Sequence, residues 1–224
     1  MFCSQTSQFW RAKSMSIVQR AKNIILNPSD EWNVIASEPT TIGGLYTGYA
    51  TPLALIPLVS TILFTGILGI SAADMMGLGN GMPMDLMAIS GMAAFSFILS
   101  LVTLFVMGTI VRLVSPSFNG TSDKVQAMKL MTYASTPSWV VALISWIPFL
   151  GALLSFAAIA YVVYLIYLGL HPVLGVPKEK VAGFTVVIIL IYVVLVLIIS
   201  SIVAGLLYSM FFGNPMMGGA LSGA

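Results

Sequence analysis

Few side chains in this sequence are equipped for chemistry. One histidine, His171, and one cysteine, Cys3, are too few for a Cys/His metal site or an internal disulfide, and with His171 expected at a cytoplasmic helix end and Cys3 near the N-terminus no Ser/His/Asp or Cys/His relay is expected. The richest supply of soft ligands is thioether: Met75, Met76, Met82, Met84 and Met87 crowd one stretch, and Met216 and Met217 sit in a glycine-rich tail. Methionine sulfur suits monovalent copper, but this spacing fits no fixed ligand set, and methionine also serves as flexible apolar filler. Neither a cofactor nor a metal is therefore expected. Gly77-Leu78-Gly79-Asn80-Gly81 opens no basic helix, so it does not make a phosphate loop. What remains is hydroxyl: Thr51, Ser60, Thr61 and Thr65, then Ser96, Ser100 and Thr103, all set in long apolar runs. There they are expected to bond between helices or back to a carbonyl rather than to catalyse.

The elements that must carry these groups belong to a bilayer. Hydrophobic residues make up 58% of the chain and charged ones 7%, against about 45–50% and about 25% for a soluble domain. A net charge of +2 is too small for a nucleic-acid surface. The partner that this composition implies is the lipid bilayer.

From Leu45 no charge occurs until Asp74, and the uncharged run from Leu86 ends at Arg112. Each has room for a helix of about 20 residues across about 30 Å of hydrocarbon. Thr132 to Leu170 is also uncharged, a length too great for one crossing. Trp146-Ile147-Pro148-Phe149-Leu150-Gly151 divides it, because proline removes a donor, glycine permits a turn and tryptophan favours the interface. Val181 to Phe212 supplies a last apolar run. The sequence thus predicts an all-α membrane protein with five transmembrane helices, at about 45–70, 86–112, 132–147, 150–170 and 181–212, with N-terminal and mid-chain interfacial amphipathic helices.

Basic residues test that count, since they collect on the cytoplasmic side. Arg11, Lys13, Arg20 and Lys22 precede the first span; Arg112, Lys124 and Lys129 follow the second; Lys178 and Lys180 precede the fifth. Five spans place all nine on one side. The N-terminus is expected in the cytoplasm and the C-terminus across an inner, plasma membrane.

Outside the spans, residues 1–15 read as a disordered leader, 16–44 as cytoplasmic amphipathic helices and 213–224 as a flexible tail. Ile17, Val18, Ala21, Ile24 and Ile25 share a helical face flanked by Arg20 and Lys22. Asn27 is expected to cap a second helix, with Pro28, Asp30 and Glu31 in its first turn. Ser122 is expected to cap a third, on the surface before the third span. Arg20, Lys22, Asp30, Glu31 and Trp32 are the candidates for facing a partner, a membrane or cytoplasmic protein, with a second copy of the chain also left open.

Several motifs taken together resemble the Yip family of membrane proteins, the Ypt/Rab-interacting proteins, in its prokaryotic branch. They are Asn27-Pro28-Ser29-Asp30-Glu31-Trp32, Tyr133-Ala134-Ser135-Thr136-Pro137, the proline turn at Pro148, the run Tyr161 to Leu170 with Tyr164, Tyr167 and Gly169, and Gly175-Val176-Pro177-Lys178-Glu179-Lys180. The resemblance covers about residues 16–210 and implies five spans and a role as an adaptor or organiser rather than an enzyme. The chain lacks the aspartate-leucine-tyrosine-glycine-proline stretch of eukaryotic members, so the resemblance does not extend to GTPase binding. It implies that Tyr133, Thr136, Pro137, Pro148, Tyr161, Tyr164, Tyr167 and Gly169 are family positions, whose role we read as helix packing. The function expected is a non-enzymatic membrane scaffold working at its cytoplasmic face; the alternative is a small-solute permease, suggested by the hydroxyls and by the prolines at 52, 57 and 137.

Overall fold

The computed structural model describes residues 16–70, 75 and 85–212, with side chains of the last helix described to Gly205. The leader, the tail and most of the methionine-rich stretch, including Gly77–Gly81, lie outside the described residues. What is described is helical, without strands. In chain order the helices are α1 (Ile17–Leu26), α2 (Pro28–Ser37), α3 (Ile42–Ile67), α4 (Leu86–Val114), α5 (Lys124–Ala134), α6 (Thr136–Val141), α7 (Leu150–Leu174) and α8 (Lys178–Phe212). One compact unit runs to Thr185, and a second begins at Val186 within α8.

Four of these helices, α3, α4, α7 and α8, are long and apolar enough to cross a membrane, not the five expected. The missing one is 132–147. Pro137 has no N–H to give to Tyr133 O, which accepts from the Thr136 hydroxyl instead; α5 stops at Ala134, Ser135 turns, and α6 restarts at Thr136 with the proline in its first turn, where a missing N–H is tolerated. Helix α6 lasts only to Val141, after which the chain winds through tight turns, Leu143 N donating to Val140 O at 3.2 Å and Ile144 N to Val141 O at 2.9 Å. Pro148 lies in this turn region, Phe149 adopts φ 60°, and α7 begins at Leu150.

Although broken, this segment climbs beside α3 in step with it. Tyr133 packs on Tyr49 with ring centroids 4.5 Å apart, Ser60 Oγ donates to Ala142 O at 2.8 Å, and Trp146 stacks on Phe64 at 4.4 Å. Fifteen residues of α3 rise about 22 Å at 1.5 Å each, and 133–146 keeps pace with that rise. Helix α3 itself continues through Pro52 and Pro57, with a π-turn at Tyr46–Ala50 immediately ahead of Pro52 and a second at Ile62–Ile67.

Helix α5 corrects a second expectation. It is capped by Asp123, whose side chain accepts from Gln126 N at 2.9 Å, rather than by Ser122. Nor does it lie on the surface: every residue from Ala127 to Ala134 is buried. It packs against α4 and α7, with Met128 filling the space left by Gly108. The loop before it is pinned by Thr121 N donating to Leu174 O at 2.7 Å. Where α8 begins, Phe184 stacks on Phe118 at 4.6 Å.

Candidate functional site

The densest polar chemistry lies where the α1–α2 hairpin meets α5. Ser16 caps α1 by accepting from Gln19 N at 3.1 Å, while Pro28 starts α2 without a side-chain cap from Asn27. The sharp turn between them brings Arg20 of α1 against the acidic residues of α2. Arg20 Nη1 donates to Glu31 Oε1 and Nη2 to Glu38 Oε1, so one guanidinium holds both ends of α2. Asn23 Nδ2 donates to the other Glu31 oxygen at 3.0 Å. Arg20 and Glu31 are only 6% and 5% exposed. Burial pulls the Arg20 pKa down, but the hydrogen bond to Glu38 and the charges of Glu38 and Glu31 outweigh it and hold the pKa above its ordinary value.

Lys129 supplies the second charge of the same sign. Its Nζ donates to the carbonyl oxygens of Ile35 at 2.8 Å, Ala36 at 3.4 Å and Glu38 at 2.6 Å. These are the carbonyls at and just beyond the end of α2, the negative pole of that helix. Gln126 Nε2 adds a bond to Ala36 O at 3.1 Å. Burial depresses the Lys129 pKa, opposed by the charges of Glu38 and Asp123. Arg20 and Lys129 thus balance Glu31 and Glu38, and a buried cluster without net charge is the form in which desolvation is best repaid.

Aromatic and apolar contacts continue the clamp. The Arg20 guanidinium lies 5.9 Å from the Tyr133 ring centroid, and Tyr133 in turn packs on Tyr49. Thr136 Oγ1 donates its hydrogen to Tyr133 O at 2.7 Å, so the Tyr49 hydroxyl is the donor in its 2.9 Å bond to Thr136. Trp32 is fully buried beside Gly169, where a Cβ would lie 2.9 Å from the indole and 2.5 Å from Leu130 Cδ1. Glycine is what lets the indole seat against α7. Eight residues earlier on α7, the Tyr161 hydroxyl donates to Ile25 O at 2.6 Å, close to the end of α1.

This arrangement corrects the set expected to face a partner. Arg20, Glu31 and Trp32 point into the protein; of the five, Lys22 and Asp30 are exposed. The helix face was misread by one position, since α1 buries Arg20, Ala21 and Ile24 and leaves Val18 outside. Among the residues taken as family positions, Tyr133, Thr136, Pro137 and Gly169 are buried, whereas Tyr164 and Tyr167 are each 46% exposed. Amphipathic patterning marks none of Lys129, Glu38 and Asn23 as a site residue: it assigns Asn23 to water and Lys129 to the basic cytoplasmic surface. The available signal was Lys129 itself, a charge in the middle of a helix between Met128 and Leu130.

The Yip1 domain matches residues 22–201 of this chain. The chain belongs to the Yip1 domain family. Two relatives, each called inner membrane protein YohC, come from Escherichia coli strain K12 and from Escherichia coli O6:H1 strain CFT073. Each is 26% identical over 163 residues, covering 71% of this chain and 80% of the relative. No solved structure matches. The part of this Yip1-domain protein that matches the family begins at Lys22, so Glu31, Glu38 and Lys129 fall within it and Arg20 just before it.

Two cavities flank the spans of the Yip1 domain. One, of about 310 Å³, is an apolar groove lined by Tyr46, Ile98, Leu101, Val102 and Phe105. The other, of about 170 Å³, lies between the end of α3 and the 142–149 turn and is lined in part by Ser60, Thr61, Thr65 and Ser145. Among the described residues, no group of three His, Cys, Asp or Glu side chains is placed to hold a metal.

Proposed function

We propose that this Yip1-domain protein is a non-enzymatic scaffold of an inner membrane that works through the outward face of its α1–α2 hairpin. The observation that carries the reading is the clamp. Arg20 locks α1 to α2, and Lys129, Tyr161 and the buried Trp32 fix the hairpin to the membrane-embedded body, so Lys22, Asp30, Asn33 and Ser37 form a polar face of defined geometry. A fixed polar face suits recognition, because charges held in place steer and select a partner. No observation favours the permease alternative.

The same reading places the N-terminus in the cytoplasm and the C-terminus on the other side. The broken segment 133–146 supports this orientation, since its rise beside α3 carries the chain away from Lys124 and Lys129, and α7 then returns it to Lys178 and Lys180. The relatives named as inner membrane proteins support the location.

The test is co-purification from mild detergent at native expression, with quantitative mass spectrometry of what accompanies the protein. A stoichiometric companion that is lost in a Lys22→Glu/Asp30→Lys variant is the expected result. A variant that keeps every companion of the unmodified protein would overturn the reading.

A further inference from the structure

The groove between α3 and α4 lies apart from the hairpin and has its own chemistry. Its lining is apolar, and the one polar group among its five lining residues is already engaged, the Tyr46 hydroxyl donating to Leu101 O at 3.2 Å. Nothing inside asks for a polar ligand. At the Phe105 end the character changes abruptly: Lys124 Nζ stands 5.1 Å from the Phe105 ring centroid. Arg112 follows Phe105 by seven residues, two turns along the same stripe of α4, and its Nε donates to Ser122 O at 3.0 Å. That bond draws the guanidinium to the loop just before Lys124, the first residue of α5, and uses one of its five N–H donors. The carboxylate nearest in sequence, Asp123, is occupied in capping α5. An apolar slot that opens onto two cations has the polarity of a phospholipid, with a hydrocarbon tail at one end and a phosphate at the other.

We propose that this groove holds one acyl chain of an anionic phospholipid, whose phosphate is bound by Lys124 and Arg112 on the basic side of the membrane. The volume, about 310 Å³, lies at the lower end of the range for sites that take small ligands, roughly 300–1,000 Å³, which fits part of a chain rather than a whole lipid. Each basic side chain near an anionic headgroup changes its affinity by about fivefold, so two should enrich such a lipid well above its share of the bilayer.

The experiment uses the full chain in nanodiscs of phosphatidylethanolamine and phosphatidylglycerol at three to one, with native mass spectrometry of the lipids that stay bound on release. The ratio of phosphatidylglycerol to phosphatidylethanolamine among bound lipids should be at least fivefold higher than in the bilayer. Lys124→Gln and Arg112→Gln should each reduce that enrichment about fivefold. Lys124→Arg, which keeps the charge, should preserve it, and Lys22→Gln, distant in the sequence, should leave it unchanged. Ile98→Trp, which fills the slot from an exposed position, should release the lipid. Retained lipid with the bulk composition, enrichment unaffected by both glutamine variants, or displacement by millimolar glycerol phosphate would overturn the proposal, the last by showing a site for free phosphate. Because the readout is bound lipid, it can fail while the hairpin scaffold stands.

Discussion

Lys129 Nζ and the Glu38 carbonyl oxygen are 2.6 Å apart although 91 residues separate them in the chain. Through this bond and its two neighbours a membrane-domain helix holds the far end of the N-terminal hairpin. The ammonium is spent on main-chain carbonyls rather than on a carboxylate side chain. It therefore reads the end of α2 as a helix terminus, while Arg20 reads the acidic side chains on the same helix.

Removing that cation should free the hairpin without unfolding the spans. Lys129→Met keeps much of the side-chain length but takes the ammonium from Ile35 O and Glu38 O and leaves Ala36 O with Gln126 alone. Limited proteolysis in detergent is expected to cut near residues 38–41 in the variant and not in the unmodified protein, with the fragment beyond α3 left intact.

Arg20 and Glu31 should show strong coupling. Breaking one side of a buried pair leaves an unpaired charge and costs about 3–5 kcal/mol. Arg20→Ala and Glu31→Gln should each destabilise the protein by about that amount, and the double variant by clearly less than their sum. Thermal unfolding in detergent, run as a double-mutant cycle, measures it; additive losses would show that the two side chains act independently.

The hairpin was legible in the sequence as two helices, but its inward face was not. Amphipathic patterning assigns apolar residues to the buried side, and α1 breaks the pattern by burying Arg20 while exposing Val18 and Leu26. What decides the rotation is tertiary: Glu31, Glu38 and Tyr133 give the guanidinium partners that no local rule reveals. The four long spans were readable from length and charge alone. The segment 132–147 was readable as apolar, but its continuity was not, because the break depends on Thr136-Pro137 and on Ser60 and Phe64 of α3 offering contacts to a chain that has left helical geometry. The tyrosines of α7 were read as one packing face, yet only Tyr161 has a partner at the hairpin, while Tyr164 and Tyr167 remain half exposed.

Gly169→Val should expel Trp32 from its seat. A Cβ there already lies inside contact distance of the indole and of Leu130, and overpacking costs typically about 1–3 kcal/mol. With Trp10, Trp139 and Trp146 replaced by Phe, the fluorescence of Trp32 should shift to the red in the valine variant. Unchanged emission would mean that the indole keeps its place.

Tyr161→Phe removes only the hydroxyl that donates to Ile25 O. A loss of about 1 kcal/mol is expected, the usual net value of such a bond, measured as a lowered unfolding midpoint.

The most direct measurement is amide hydrogen exchange on the full-length protein in detergent, comparing α1 and α2 with α5 and α7. If the hairpin is a fixed part of the membrane body, amides of residues 20–26 and 31–37 exchange as slowly as those of α5, and Lys129→Met accelerates the hairpin while leaving α7 unchanged. Fast exchange of α1 and α2 in the unmodified protein, indifferent to Lys129, would contradict the clamp and the scaffold built on it.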